Sequence, residues 1–193
     1  MNSISRVLFL RLMLNIVISK QDLWDEEKER FIPIKPTILC LEHNLLSMSD
    51  WESKHKKPLL GKNSLTIDEL RDYVRCMTQN DVEDKNVYLA LTTKHLNAVQ
   101  RYMADPMTAT TFTERKNQKR NSQFITNELI YCWMSNFNIP YQPCERWHLN
   151  RLLTLIKVCS EENSGPQKVD KGQAMRDQRA LNELRKAKLG TKG

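Results

Sequence analysis

The stretch ITNELIYCWMSNFNIPYQPCERWHLNRLLTLIKV, residues 125–158, decides the fold class. Its first part carries Ile125, Leu129, Trp133 and Phe137 at four-residue intervals, with Ile130 and Met134 beside them. That period places apolar side chains on one face of a helix. Pro140 and Pro143 mark a turn, because proline lacks the amide that a continuing helix needs. Leu149, Leu152, Leu153 and Ile156 form a second stripe, supported by Leu155 and Val158. Two such helices, joined by roughly seven residues, predict an antiparallel αα-hairpin at the centre of the core. At about 1.5–3 kcal/mol per fully buried large apolar side chain, the pair supplies much of the domain's hydrophobic stabilisation.

Upstream, residues 43–112 also read as helical. Ser47 or Ser49 caps a helix carrying Trp51 and Glu52, with Ser49 and Glu52 in capping-box spacing. Lys54-His55-Lys56-Lys57 follows at its C-terminal end, where the helix dipole favours positive charge. Thr66 and Glu69 form a second capping box before an apolar stripe of Ile67, Leu70, Val74 and Met77. A short helical piece is expected at Asp84–Leu91. A helix capped by Thr92 or Thr93 then carries Leu96, Val99 and Met103, and Pro106 stops it. Met107–Phe112 reads as extended, and Glu114–Asn121 as a solvated basic loop.

Residues 13–42 differ. Strands are expected at Leu14–Ser19, Phe31–Ile34 and Thr37–Leu41, which are rich in β-branched residues. Asp22–Glu29 reads as an acidic connection containing Trp24. Pro33 and Pro36 restrict this sheet to short or edge strands. At the other end, Ser160–Val169 reads as a linker, and Asp170–Leu189 as a charged helix with only Met175, Leu181, Leu184 and Leu189 as large apolar residues. Such a helix is marginal alone and needs a partner. The expected fold is therefore mainly α with a small N-terminal β-region (α+β). Its parts are a β-region at 13–42, a helical body at 43–160, and a basic linker and helical arm at 161–193. Residues 1–12 contain Val7-Leu8-Phe9-Leu10 after Arg6, a short signal-like run with no cleavage site after it. The favoured reading is an upstream extension before a natural start at Met13.

The 193 residues carry 30 Lys+Arg against 23 Asp+Glu, a net charge of +7. Residues 1–112 are balanced, with 15 of each sign, so the whole excess lies in 113–193. It falls mainly on 113–123 and 161–193, each net +3. Arg115, Lys116, Lys119 and Arg120, with Arg176, Arg179, Arg185, Lys186 and Lys188, form a basic set able to contact phosphate, which keeps nucleic acid open as a partner. These runs lack the interleaved aromatics that stack bases. No apolar run reaches the length of a membrane span.

Candidate chemistry is sparse. The nucleotide, zinc-protease and hydrolase signatures are missing from the sequence. Cys40, Cys76, Cys132, Cys144 and Cys159 are an odd, widely spaced set, read as reduced thiols packed in the interior. Cys144 and His148 would share a helical face as a nucleophile pair. His148 reads better as a packing or helix-terminal residue, and His43, His55 and His95 form no constellation with it. No catalytic, cofactor-binding or metal-binding residue is assigned.

Several strings carry a resemblance. They are Leu14–Ser19 with Leu23-Trp24-Asp25-Glu26-Glu27, Leu41-Glu42-His43 followed by Trp51-Glu52-Ser53-Lys54, and Cys76-Met77-Thr78. Further on come Pro106-Met107-Thr108-Ala109-Thr110-Thr111-Phe112, Trp147-His148-Leu149-Asn150-Arg151-Leu152-Leu153-Thr154-Leu155-Ile156, and the ending Ala180-Leu181-Asn182 through Gly193. Together they resemble a family of small tailed-bacteriophage and prophage proteins encoded among tail genes, of the tail assembly chaperone class. The resemblance spans Met13 to Gly193, and Lys54-His55-Lys56-Lys57 stands where that pattern has a second Trp. It implies a non-enzymatic morphogenesis protein in the host bacterial cytoplasm, or associated with the virion. It also implies the tape measure and tail tube proteins as partners. On this reading Trp51, Trp147, His148 and Arg151, with Arg176, Arg179, Leu181, Leu184, Arg185 and Lys186, contact the partner. Met48, Met77, Met103, Met107, Met134 and Met175 would suit an adaptable surface.

Overall fold

A computed structural model describes residues 13–26, 28–61, 65–112, 124–163 and 171–190. The chain divides into two compact units, Met1–Val158 and Cys159–Gly193. The architecture is α+β and mainly helical, with the β-region first.

Four strands make that region: β1 (Leu14–Ile18), β2 (Gln21–Asp25), β3 (Arg30–Ile34) and β4 (Thr37–Leu41). β1 pairs antiparallel with β4, and β2 with β3. The register never slips: Leu14 faces Leu41, Ile18 faces Thr37, Gln21 faces Ile34 and Asp25 faces Arg30. The four strands are thus the two arms of one long β-hairpin, interrupted at Ser19-Lys20 and Lys35-Pro36. Pro36 cannot donate to the ladder there, and Pro33 is tolerated because both strands of a two-stranded ribbon are edges. The first half of the expected acidic connection at Asp22–Glu29 is therefore strand β2, which the sequence pattern does not announce. Its charges are compatible with a strand because the outer half of the hairpin is solvated on one face.

The inner half of the hairpin packs on the helices. Ile16, Ile18, Leu39 and Leu41 are buried, whereas Val17 and Ile38 are exposed. Beyond the interruption the inward parity changes: Ile34 is buried, while Trp24 and Phe31 are exposed and meet edge-to-face at 5.0 Å. The ribbon's twist is unrestrained by ladder bonds at the break.

The outer edge of β4 is covered. Asn80 Nδ2 donates to Ile38 O at 2.9 Å and its Oδ1 accepts from Cys40 N at 2.8 Å, while Gln79 N donates to Cys40 O at 2.8 Å. One amide side chain thus imitates a passing strand. Asn80→Ala is expected to cost about 1–2 kcal/mol, the net worth of two hydrogen bonds. A urea titration and faster amide exchange at Cys40 would show it.

Among the described residues, seven α-helices follow: α1 (Leu45–His55), α2 (Ile67–Met77), α3 (Thr93–Ala104), α4 (Asn127–Asn136), the short α5 (Tyr141–Cys144), α6 (Leu149–Asn163) and α7 (Lys171–Leu189). A 3₁₀ helix at Lys85–Ala90 precedes α3, where a short helical piece was expected. The capping box of Thr66 and Glu69 forms as the sequence predicts, and Thr92 caps α3. The α1 cap differs from expectation. Asn44, not Ser47 or Ser49, begins the helix, its side chain accepting from Ser47 N at 2.9 Å. Ser47 is turned inward and donates to Glu42 O.

α1 takes the central place that the sequence pattern gives to the hairpin of α4 and α6. Its Leu45, Met48 and Trp51 are fully buried, and it packs on α2 and α4. α4 approaches α1 more closely than it does α6, and α5 intervenes in the connection between them. The buried line on α4 is Ile130 and Met134, one position round from the expected Ile125, Leu129, Trp133 and Phe137, which are half-buried. On α6, Leu149, Leu152 and Ile156 are buried as expected. On α2, Ile67 is exposed and Tyr73 joins Leu70, Val74 and Met77 in the core. Met107–Phe112 is irregular, not extended, and Met107 has φ 50°. α6 continues to Asn163, so the first part of the expected linker is helical. Residues 1–12, the basic loop 113–123 and residues 164–170 lie outside the described residues.

Candidate functional site

Two regions gather the sequence candidates. The first is where β4 enters α1 and α5 enters α6. His43 O accepts from Leu149 N at 2.8 Å, and Glu145 O accepts from Leu45 N at 3.1 Å. These bonds bring His43 beside His148, with ring centroids 5.1 Å apart. The sequence shows no such constellation, because only tertiary pairing joins the two segments. His43 Nδ1 lies 2.6 Å from the Tyr73 hydroxyl, and the Tyr102 ring meets His148 edge-to-face at 5.0 Å. Glu42, Asn44 and Ser47 complete a buried polar layer, in which Asn44 Nδ2 donates to Glu42 Oε2 at 3.1 Å.

The chemistry of this layer is that of a structural joint. His148 Nε2 donates to Tyr102 O at 3.1 Å, and Asn150 Nδ2 donates to Met103 O at 2.8 Å and Asp105 O at 2.7 Å. Those carbonyls lie at the C-terminal end of α3, where the regular helical donors run out; Tyr102 O also accepts from the capping Asp105 N at 3.2 Å. Two polar residues of the Trp147–Ile156 string thus cap one helix while their own helix begins. The donor role fixes the proton on His148 Nε2, which leaves its buried Nδ1 without a partner. Burial holds His43 down to about 3 and also lowers His148, so both rings are neutral near pH 7.

Cys144 does not complete a nucleophile pair. The thiol is buried and desolvation raises its pKa, opposite to the shift that makes a reactive thiolate. Among the described residues, no three His, Cys, Asp or Glu side chains are grouped to hold a metal. The thiols expected to pack inside divide otherwise: Cys144 is buried, Cys132 exposed, and Cys40, Cys76 and Cys159 intermediate.

Trp51 and His148, both expected at a partner surface, are interior. Trp51 Nε1 donates to Glu69 O at 3.2 Å, and the His55 ring stacks on its indole with centroids 4.3 Å apart. The His55 imidazole is thus the aromatic neighbour of the indole. Lys54 and His55 pair with Asp72, and Lys57 pairs with Glu69, so the basic run clasps α1 to α2. Of the body candidates, Trp147 and Arg151 keep surface. The guanidinium sits over the indole, 4.4 Å from its centroid, at the start of α6.

The second region is α7, taken by itself. Arg176, Arg179, Leu181, Leu184, Arg185 and Lys186 are all exposed on it, with Met175 and Leu189. At about 100° per residue, Leu181 and Leu184 share one side, and Arg176, Arg179 and Lys186 gather on another. Of the methionines expected to suit an adaptable surface, Met48, Met77 and Met134 are fully buried core residues, whereas Met175 is exposed.

The sequence reading missed one surface, the outer face of the hairpin. Val17, Ile38, Trp24 and Phe31 there are 61%, 54%, 53% and 66% exposed, beyond ordinary scatter of single apolar residues. The strand alternation of Leu14–Ile18 was the signal for its first half; its second half needed β2. No described helix is long and apolar enough to cross a membrane. No protein-family model, curated protein or solved structure matches the chain.

Proposed function

We propose that the chain is a non-enzymatic morphogenesis protein of a tailed bacteriophage, a tail assembly chaperone that acts in the host bacterial cytoplasm and binds the tape measure protein. The set of sequence strings from Leu14 to Gly193 carries this reading. Helix α7 supports it: a helix whose large apolar side chains all face solvent is a docking element in want of a partner. A long, helical, aggregation-prone client offers an apolar face to such an arm. The folded body then serves to hold and present it.

Co-expression with the tape measure protein of the same genome tests the reading. The expected result is more soluble tape measure protein and a complex that co-purifies. Absence of both the gain in solubility and the co-purification would overturn it. Stoichiometric presence in purified virions would instead make the chain a structural tail component.

A second reading is favoured by one observation, the gathering of Arg176, Arg179 and Lys186 on one side of α7. It makes the arm a nucleic-acid contact, with affinity falling steeply as salt rises. Failure of the chain to bind duplex or single-stranded DNA at low salt removes it.

A further inference from the structure

We infer that the outer edge of β1 is a self-association site, at which the β1 strand of a second copy pairs antiparallel about a two-fold axis through Ile16.

The hydrogen-bond pattern identifies the open groups. Ile38, Cys40 and Glu42 turn main-chain groups away from β1, toward Asn80, Gln79 and Met77. By the alternation of an antiparallel ladder, Thr37, Leu39 and Leu41 bond inward to Ile18, Ile16 and Leu14. Asn15 and Val17 therefore point their N–H and C=O groups away from β4, and among the described residues nothing bonds to them there. Both residues are exposed. A dedicated asparagine covers one edge of this sheet; among the described residues the main-chain groups of the other edge are unbonded, while α3 packs against β1.

What fits an open edge is extended backbone. The pattern on this edge is its own complement. A two-fold at Ile16 sets Asn15 opposite Val17 of the second copy and Val17 opposite Asn15, satisfying all the outward groups of both strands. Ile16 meets Ile16 as the non-bonded central pair.

Charge selects the same segment. Leu14–Ile18 carries no ionisable side chain, lysine, proline or bulge of the kind that protects edges. β2 carries Asp22 and Asp25, which self-pairing would bring near their own copies at a cost. The joined sheet has four strands, and on its outer face Val17 of each copy lies opposite Asn15 of the other, with the two valines as diagonal neighbours. Five paired residues a side fall short of the roughly 20–30 of a stable interface, so the dimer is weak and concentration-dependent.

Sedimentation velocity on the full chain across a range of concentrations is the test. A reversible monomer–dimer equilibrium is expected, with slower amide exchange at Asn15 and Val17 as concentration rises. Val17→Pro removes one outward N–H at a position where an edge tolerates proline, and Val17→Lys places a protecting charge there. Each is expected to raise the dissociation constant at least about tenfold while circular dichroism and the unfolding midpoint stay near wild type. A chain that stays monomeric throughout overturns the inference. So does a dimer that survives both substitutions, which would place the interface elsewhere, and so does occupation of the edge by a different protein's strand without self-association.

Discussion

Glu52→Ala is expected to destabilise the first unit by about 3–5 kcal/mol, the cost of stripping a buried carboxylate from the groups it satisfies. The Glu52 side chain is almost fully enclosed. Its Oε1 accepts from Leu59 N at 2.7 Å and its Oε2 from Asn127 N at 2.8 Å. Three segments thus meet on one residue: α1, the turn after it, and the first turn of α4. Asn127 Nδ2 adds a bond to Ser49 Oγ at 2.8 Å. The carboxylate also faces the positive end of the α4 dipole. Desolvation nevertheless raises its pKa, with the two main-chain donors opposing the rise. Alanine leaves two buried N–H groups unpaired. Against a typical total of about 5–15 kcal/mol, that loss threatens folding at 37 °C. Glu52→Gln keeps one acceptor but turns an NH₂ toward a donor, so a smaller loss of about 1–3 kcal/mol is expected. Urea unfolding of both variants gives the comparison. Equal stability of Glu52→Ala and wild type would contradict this account of how α4 is held.

Mild acid is the second large effect. His43 is held neutral by burial, with His148 beside it adding a repulsive charge when both protonate. Its folded pKa, near 3, lies below the unfolded value, so the unfolded chain binds more protons between the two. Stability is therefore lost as pH falls through that window. From pH 7 to pH 5 the loss from His43 alone is about 2 kcal/mol, and His148 adds to it in the same direction. Glu42 and Glu52, whose pKa values are raised by desolvation, act in the opposite sense. Asp72, held low by Lys54 and His55 against its own desolvation, adds to acid loss only below about pH 4. The His43→Gln comparison therefore separates the imidazole's share from that of the two carboxyls. Unfolding midpoints from pH 7 to pH 5 are expected to fall, and His43→Gln is expected to flatten the slope. A flat wild-type profile would contradict the neutral buried pair.

Local signals in the sequence carried the helices well and the assembly poorly. Thr66 and Glu69 announce their helix because a capping box is written in four residues. β1 and β4 are legible from β-branched residues that alternate in burial. β2 was hidden because Gln21–Asp25 is charged and half-solvated, so it lacks the apolar density of a core strand. The stripe on α4 is legible only to within one position, because Leu129 and Trp133 cover the edge of the core and leave the centre to Ile130 and Met134. Trp51 and the polar residues of Trp147–Ile156 stood out for function, yet structure uses Trp51, His148 and Asn150 inside the fold. Burial of a tryptophan or of a hydrogen-bonded histidine depends on what packs above it, which spacing along the chain does not state. The exposure of Leu181 and Leu184 follows more directly, since α7 carries too few apolar residues to bury a face.

The central claim is that this chain works by binding a client through α7. Its most direct measurement is the affinity of the purified full chain for the tape measure protein of its genome, compared with Leu181→Glu/Leu184→Glu. The account predicts binding by the wild type and at least about a tenfold loss in the double variant, with the unfolding midpoint of the first unit unchanged. Undiminished binding by the double variant, or none by the wild type, would contradict it.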